Sequence, residues 1–240
     1  MIRQRARHEN QKQERRQAIV AVARQLFEQS SFEAVSMAGV AGQAGLAKGT
    51  LYLYFRTKEE MFLALLEEEF AGWFDELDAG LALLPARAGG ERFVALVSAA
   101  LERRPTLIRL LAILHTIVEQ NVDDEAALRF KLELRQRLVH SGALIDERLE
   151  LAQGQGAVLL LQVYALVIGY QSMADPAPAI RRVLAHPELA LLRVDLVSAC
   201  AHSLTLILKG LELEKNRHEQ EGYSAWKNSP GNRRFERSGR

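Results

Sequence analysis

Apolar residues in the stretch 13–29 fall at Ile19, Val22, Ala23, Leu26 and Phe27, spacings of three and four that put them on one face of a helix. Neither Gly nor Pro interrupts the stretch, so the pattern predicts a first helix of about four turns, ended by Ser30, Ser31 and Phe32. Ser36 is a suitable N-cap for a second, short helix ending near Ala44, with Val40 and Ala44 inward and Gly45 as a turn residue. A third short helix is predicted over 48–54, anchored by Leu51 and Phe55. Two short helices separated by a glycine turn and packed on a longer one make a helix-turn-helix.

Thr57 and Glu60 have capping-box spacing just before the apolar face Met61, Leu65 and Leu66, and predict a fourth helix that runs to about Leu84, where Pro85 stops it. Further helices are expected over 91–103, 105–118, 123–150, 153–174 and 189–213. The prolines at 176 and 178 mark a break, followed by a short helix through Ala185. No β-rich segment bounded by turns interrupts this succession, so the fold class is all-α. An N-terminal three-helix domain over 1–58 precedes a helical domain over 59–213, and the polar, weakly periodic stretch 214–240 is expected to be a flexible tail. The 153–170 segment is apolar around most of its circumference and must be covered on both sides. Burial within one chain would do this; so would pairing with a symmetry mate, with the 189–213 helix as companion.

Composition adds limits. With 48% apolar residues and few Gly and Pro, a sizeable core is possible. Cys200 is the only cysteine, which excludes an internal disulfide and suits a reducing compartment. Residues 3–16 are almost entirely polar, unlike a signal peptide, and the apolar run 157–169 is too short to span a bilayer. The expectation is a cytoplasmic protein with no membrane partner. Net charge is only +1, yet residues 1–58 hold ten Lys or Arg against four Asp or Glu, while 59–240 hold twenty-one against twenty-six. The basic end is therefore the candidate footprint for a polyanion.

Residues 36–62, SMAGVAGQAGLAKGTLYLYFRTKEEMF, closely resemble the DNA-binding signature of the tetracycline-repressor (TetR) family, and residues 21–31 resemble that family's first helix. The resemblance implies that the third helix enters the major groove of operator DNA. Lys48, Gly49 and Thr50 match positions that approach DNA, Tyr52 matches one that reaches bases or phosphate, and Tyr54 matches a phosphate-contacting tyrosine. Lys58 matches the lysine beside the backbone at the start of the fourth helix, and Ser36 opens the signature. The chemistry agrees: a groove about 12 Å wide admits one helix, Gly49 permits close approach, and the lysines and hydroxyls are donors for phosphate or base acceptors. Each alone would be an ordinary helix or surface residue. Arg15, Arg16 and the arginines at 3, 5 and 7 are possible additions, or simply residues of an unstructured arm.

Two positions depart from the family pattern. Ala47 replaces the usual Ser or Thr cap of the recognition helix, at a cost of about 0.5–2 kcal/mol where nothing substitutes. Gly39 replaces a polar residue inside the second helix, where an interior Gly costs roughly 1 kcal/mol relative to Ala.

The resemblance also implies dimerisation and a small-molecule effector held among the later helices. Trp73, Phe74, Phe93, His115 and Phe130 are the candidate ligand contacts, although any of them could be plain core. His115 and Glu119 are four apart, a spacing better suited to a hydrogen bond than to a metal site with no further ligand nearby. No cofactor is called for. The expected function is a ligand-responsive repressor that binds a palindromic operator as a homodimer and is released by its effector. An activator or corepressor-dependent regulator on the same fold stays open, as does a helical ligand-binding dimer with a vestigial DNA head. No phosphate loop, metal cluster or nucleophile motif points to an enzyme.

Overall fold

The structure, a computed structural model, describes residues 2–114 and 120–227, with side chains over 10–114, 120–215 and 217. It is all-α. Helix α1 spans Ile2–Gln29, and α2 (Met37–Gln43) and α3 (Lys48–Tyr52) follow as the two short helices. α1 begins well before the expected residue 13, so the segment read as an arm is helical backbone. Its Gln, Arg, Glu and Lys residues are good helix formers with no Gly or Pro among them. Ser36 caps α2 by accepting from the Gly39 amide at 3.1 Å, and Gly45, at φ +67°, turns the chain toward α3. α3 ends two residues earlier than expected, and Ala47 caps it without a side-chain bond.

The hydroxyl of Thr57 accepts from the Glu60 amide at 3.1 Å and starts α4, Lys58–Leu83. The Glu60 carboxylate reaches back one residue further than a standard capping box, to the Arg56 amide at 2.8 Å. α5 (Gly90–Glu102) and α6 (Pro105–Ile113) come next, then α7 (Asp124–Leu149), α8 (Gln155–Ala174), α9 (Pro178–Leu184) and α10 (Leu196–Lys227). Asp123 caps α7 by accepting from the Ala126 amide at 2.8 Å.

One helix of the last third starts later than expected. The helix expected from residue 189 begins instead at Leu196, because Pro187–Leu192 form a separate 3-10 turn and Asp195 supplies a fresh cap, accepting from the Ser198 amide at 2.9 Å. The stretch expected to be a tail is helical backbone as far as Lys227, its Glu, Leu, Lys and Gln residues being good helix formers. Residues 228–240 lie outside the described residues.

α4 is the central post. One continuous apolar core runs from Ile19 and Phe27 of α1, through Phe62 and Leu66, to Phe93, Leu107 and Leu159. Polar bonds tie the same parts together. Arg24 of α1 pairs with the buried Glu69 and, at 3.3 Å, with Glu68; Arg104, just before α6, stands 3.7 Å from Glu69. Arg109 of α6 donates to the carbonyls of Phe27 at 2.9 Å and Ser30 at 2.5 Å, closing the carboxyl end of α1.

α7 and α8 meet almost backbone to backbone: a Cβ on Gly142 would stand 2.6 Å from the Ala157 nitrogen. The apolar run of α8 is longer than the sequence reading allowed. α8 and residues Leu196–Lys215 of α10 are each long and apolar enough, by length and composition, to cross a membrane. In this fold both helices bury one side in the body and leave Val158, Leu161, Met173, Leu206 and Leu213 exposed on the other.

Candidate DNA-binding face and effector cavity

Leu51 fixes α3 to the core with no exposed surface, and Phe55 follows it inside. Helical geometry then turns the remaining positions outward. Lys48 and Gly49 are exposed, Tyr52 is 42% exposed, and Thr50 and Tyr54 are half-buried. The Lys48 ammonium lies 6.0 Å from the centre of the Tyr52 ring. A Cβ on Gly49 would meet nothing within 4 Å, so backbone is bare at the first turn of α3. Tyr54 borders a shallow groove with Lys12 and Arg15 of α1, which extends the basic face.

Two candidates are placed otherwise. The Lys58 ammonium turns back into the protein, donating to the Phe32 carbonyl at 2.8 Å and lying 3.9 Å from the Phe32 ring centre. Ser36 is exposed with its hydroxyl held as the α2 cap. The sequence reading passed over Leu53, which is 80% exposed beside Tyr52 and is an apolar group suited to a thymine methyl. Its signal was there: at one end of a five-residue helix anchored only by Leu51, a leucine has no core to enter.

Behind α3 a polar cleft of about 250 Å³ separates this head from the start of α7. Arg16 stacks over Phe55 at 4.9 Å and stands 3.9 Å from Glu67. Burial pushes the Glu67 carboxyl above its usual range against the pull of Arg16. Asp123 is held low by the Ala126 amide first and by the Arg56 charge after it.

In the body, a cavity of about 300 Å³ opens between α4, α5, α6, α7 and α8. Trp73 and Phe74 line it, with Phe70, Leu107, Leu111, Leu160, Val163 and Val167 among the residues of an apolar wall. Arg135, Lys131 and Tyr164 are its polar members. The Trp73 indole N–H is buried with no hydrogen-bond partner among the described residues. Phe93 is fully buried on α5 and does not line the cavity. Phe130 packs 6.1 Å from Phe70, behind the wall. His115 lies outside the described residues. The α7 and α8 contributions escaped sequence reading because both helices carry apolar residues on several faces, and periodicity alone does not say which face meets a void.

A helix-turn-helix with an outward polar helix, joined through one long helix to a body that encloses an apolar cavity, defines a ligand-responsive DNA-binding regulator. The chain belongs to the TetR family: residues 19–65 match the family described as bacterial regulatory proteins, tetR family, and residues 67–215 match the tetracyclin repressor-like C-terminal domain. Members of this family are DNA-binding regulators rather than enzymes, generally dimeric and responsive to small molecules. The transcriptional repressor KstR of Rhodococcus jostii is 34% identical over 101 residues, 41% of this chain and 46% of that one. The fatty acid metabolism regulator protein of Bacillus subtilis is 28% identical over 68 residues, 28% of this chain and 35% of its own. The chain thus spans less than half the length of the curated relatives it matches. Among solved structures, a TetR/AcrR regulator from Thermobifida fusca superposes with a TM-score of 0.56 at 20% identity, covering 82% of this chain and 98% of that one. FadR of Bacillus subtilis in complex with stearoyl-CoA gives 0.52 at 18% identity, covering 81% and 98%. At these identities the likeness shows the fold.

Proposed function

We propose that the chain is a repressor that binds a palindromic operator as a homodimer and leaves it when an apolar small molecule occupies the cavity. The observation that carries the DNA reading is the orientation of α3: Leu51 is wholly buried while Lys48, Gly49 and Tyr52 face out. A helix so mounted suits a major groove, with Lys48, Thr50, Tyr52 and Tyr54 supplying donors. Lys58 acts from behind, as a brace on Phe32. The exposed apolar sides of α8 and α10 support pairing with a second copy in a four-helix arrangement, which sets two recognition helices on one face of a duplex.

The cavity wall supports an effector with an apolar body, and its volume is at the lower end of the roughly 300–1,000 Å³ usual for small-molecule sites. An acceptor group on that effector would satisfy the Trp73 N–H, whose burial unpaired costs about 1–3 kcal/mol. The names of the curated relative and of the stearoyl-CoA complex make fatty acyl compounds the first to try. Release follows by linkage: an effector that moves α4 or α6 alters the spacing or tilt of two recognition helices that must dock together.

The test is to sequence genomic fragments retained by the purified protein, and then to titrate the retained site with acyl-CoAs of graded chain length. Inverted half-sites one helical turn or a multiple apart, released by one chain length, are expected. Absence of salt-sensitive binding to any fragment would overturn the DNA reading, and tighter binding on adding ligand would reverse the sign of the mechanism.

A further inference from the structure

The wall of the cavity is apolar except for the Trp73 indole on α4, Lys131 and Arg135 on α7, and Tyr164 on α8, and no carboxylate lines it. The lining positions of α7 are Lys131, Leu134, Arg135 and Leu138, a spacing that puts them on one helical face. That face therefore presents two cations, one turn apart, among two leucines. An arginine on an open helix face is ordinarily just solvated. What sets these residues apart is their level in the bundle.

Helix register fixes that level. Arg137 donates to Asp75 at 2.5 Å and His140 stands 3.6 Å from Asp78, so α4 and α7 run side by side in the same direction with an offset of 62 residues. The same offset puts Arg135 level with Trp73. α8 runs the other way, with Ala157 against Gly142 and Gly156 against Ile145. Two helical turns along from the first of these contacts, Arg135 on α7 and Tyr164 on α8 stand opposite each other. Three helices thus bring an indole N–H, a guanidinium and a phenol to one height, with the Lys131 ammonium one turn nearer the DNA-binding head.

Two members of this ring lack a counterpart. Trp73 is 6% exposed, and its N–H has no hydrogen-bond partner among the described residues. The carboxylates of this stretch of α4 are engaged elsewhere: Glu69 with Arg24, Asp75 with Arg137, and Glu76 with Arg103 and Arg104. Arg135 forms no ion pair among the described residues. A carboxylate answers both needs at once, one oxygen accepting from the indole and the other from the guanidinium, in charge-assisted bonds.

We infer that the effector is a free carboxylic acid, its ionised head held by Trp73, Arg135 and Lys131 and its apolar body packed on Phe70, Phe74 and Leu107. This rests on the effector reading above and narrows it. In an acyl-CoA the group next to the chain is a neutral thioester on a neutral pantetheine arm, and the phosphates follow many bonds further out. A free acid is ionised at neutral pH and carries its charge at the end of the apolar body, where the cavity wall carries its cations.

The experiment is calorimetric titration of the full chain with straight-chain and arylalkyl carboxylic acids of graded length, each beside its methyl ester, its primary amine and its CoA thioester. The best acid should bind at least about tenfold tighter than its ester or thioester, and the matching amine should not bind. The indole N–H resonance of Trp73, one of two tryptophans in the chain, should shift with the acid and not with the ester. Arg135→Gln should weaken the acid by about tenfold and leave the ester unchanged, and Arg135→Lys should restore most of the loss. Equal affinity for acid and ester, or a preference for the thioester, would overturn the inference while leaving the cavity as an effector site. Acid binding that neither Arg135→Gln nor Lys131→Gln weakens, with the Trp73 resonance unmoved, would overturn it as well. If no compound binds, charged or neutral, the effector reading itself fails and this inference fails with it.

Discussion

Lys48 and Lys58 stand ten residues apart in the DNA-binding signature, and the structure gives them different work. Lys48 is exposed at the start of α3, whereas the Lys58 ammonium is engaged with the Phe32 carbonyl and ring. Replacing each by Ala separates the roles. On the proposed reading, Lys48→Ala removes one phosphate-directed charge per half-site from each dimer. At about 0.9 counterions per contact, the slope of log K against log salt should become shallower by about 1.8. Melting should be unchanged, because the side chain is not part of the core.

For Lys58→Ala, a charged hydrogen bond worth about 1.5–3 kcal/mol and a cation–π contact of about 0.5–1 kcal/mol are lost. Half-exposure of the site reduces the total to about 1–3 kcal/mol. At roughly 2–4 °C per kcal/mol for a chain of this size, that is a fall of about 2–12 °C in Tm. The assays are fluorescence anisotropy on a retained operator between about 50 and 200 mM salt, and scanning calorimetry. Should Lys58→Ala flatten the salt slope as much as Lys48→Ala and leave Tm untouched, the assignment of Lys58 as a brace is wrong.

Ala47→Ser should supply the side-chain cap that α3 lacks, raise stability by about 0.5–1 kcal/mol in urea unfolding and tighten operator binding; equal midpoints in mutant and parent would reject it. Gly142→Ala drives a methyl into the backbone of α8 and should cost about 1–3 kcal/mol, seen as an earlier urea midpoint, while a neutral result would mean that the two helices slide apart freely. Burial pushes the Cys200 thiol up to about 11, so at pH 8 it should resist iodoacetamide in the folded protein and react once denatured; fast labelling of the native form would contradict its placement.

Much of the DNA-binding end could be read from the chain because its signals are local. Thr57 and Glu60, Ser36 and Gly39, and Gly45 each act within a few residues, and the structure keeps all three turns. Gly39 gains a reason it lacked in the sequence: a Cβ there would stand 3.2 Å from the capping hydroxyl of Ser36. What escaped depends on residues far apart. The inward turn of Lys58 depends on Phe32, twenty-six positions earlier, and the cavity wall draws on five helices whose apolar faces sequence periodicity cannot assign. The start of α10 was misplaced because the apolar Leu189–Leu192 stretch matches a helix in composition, while the Asp195 cap that restarts the chain lies beyond it. Trp73 and Phe74 line the cavity, but Phe93 and Phe130 are core, which shows how little an aromatic side chain alone says about a ligand.

The unbroken course of α4 has a geometric consequence. Its 26 residues span about 39 Å at 1.5 Å per residue, from the foot of the DNA-binding head to the floor of the body. A rod of that length pivoting by about 5° at its far end sweeps its near end through about 3 Å. Mirrored in a second subunit, the gap between the two reading helices would change by up to about 6 Å, a mismatch that a half-site repeat of roughly 34 Å cannot absorb. On the proposed repressor reading, so slight a swing would be enough to uncouple the protein from its DNA.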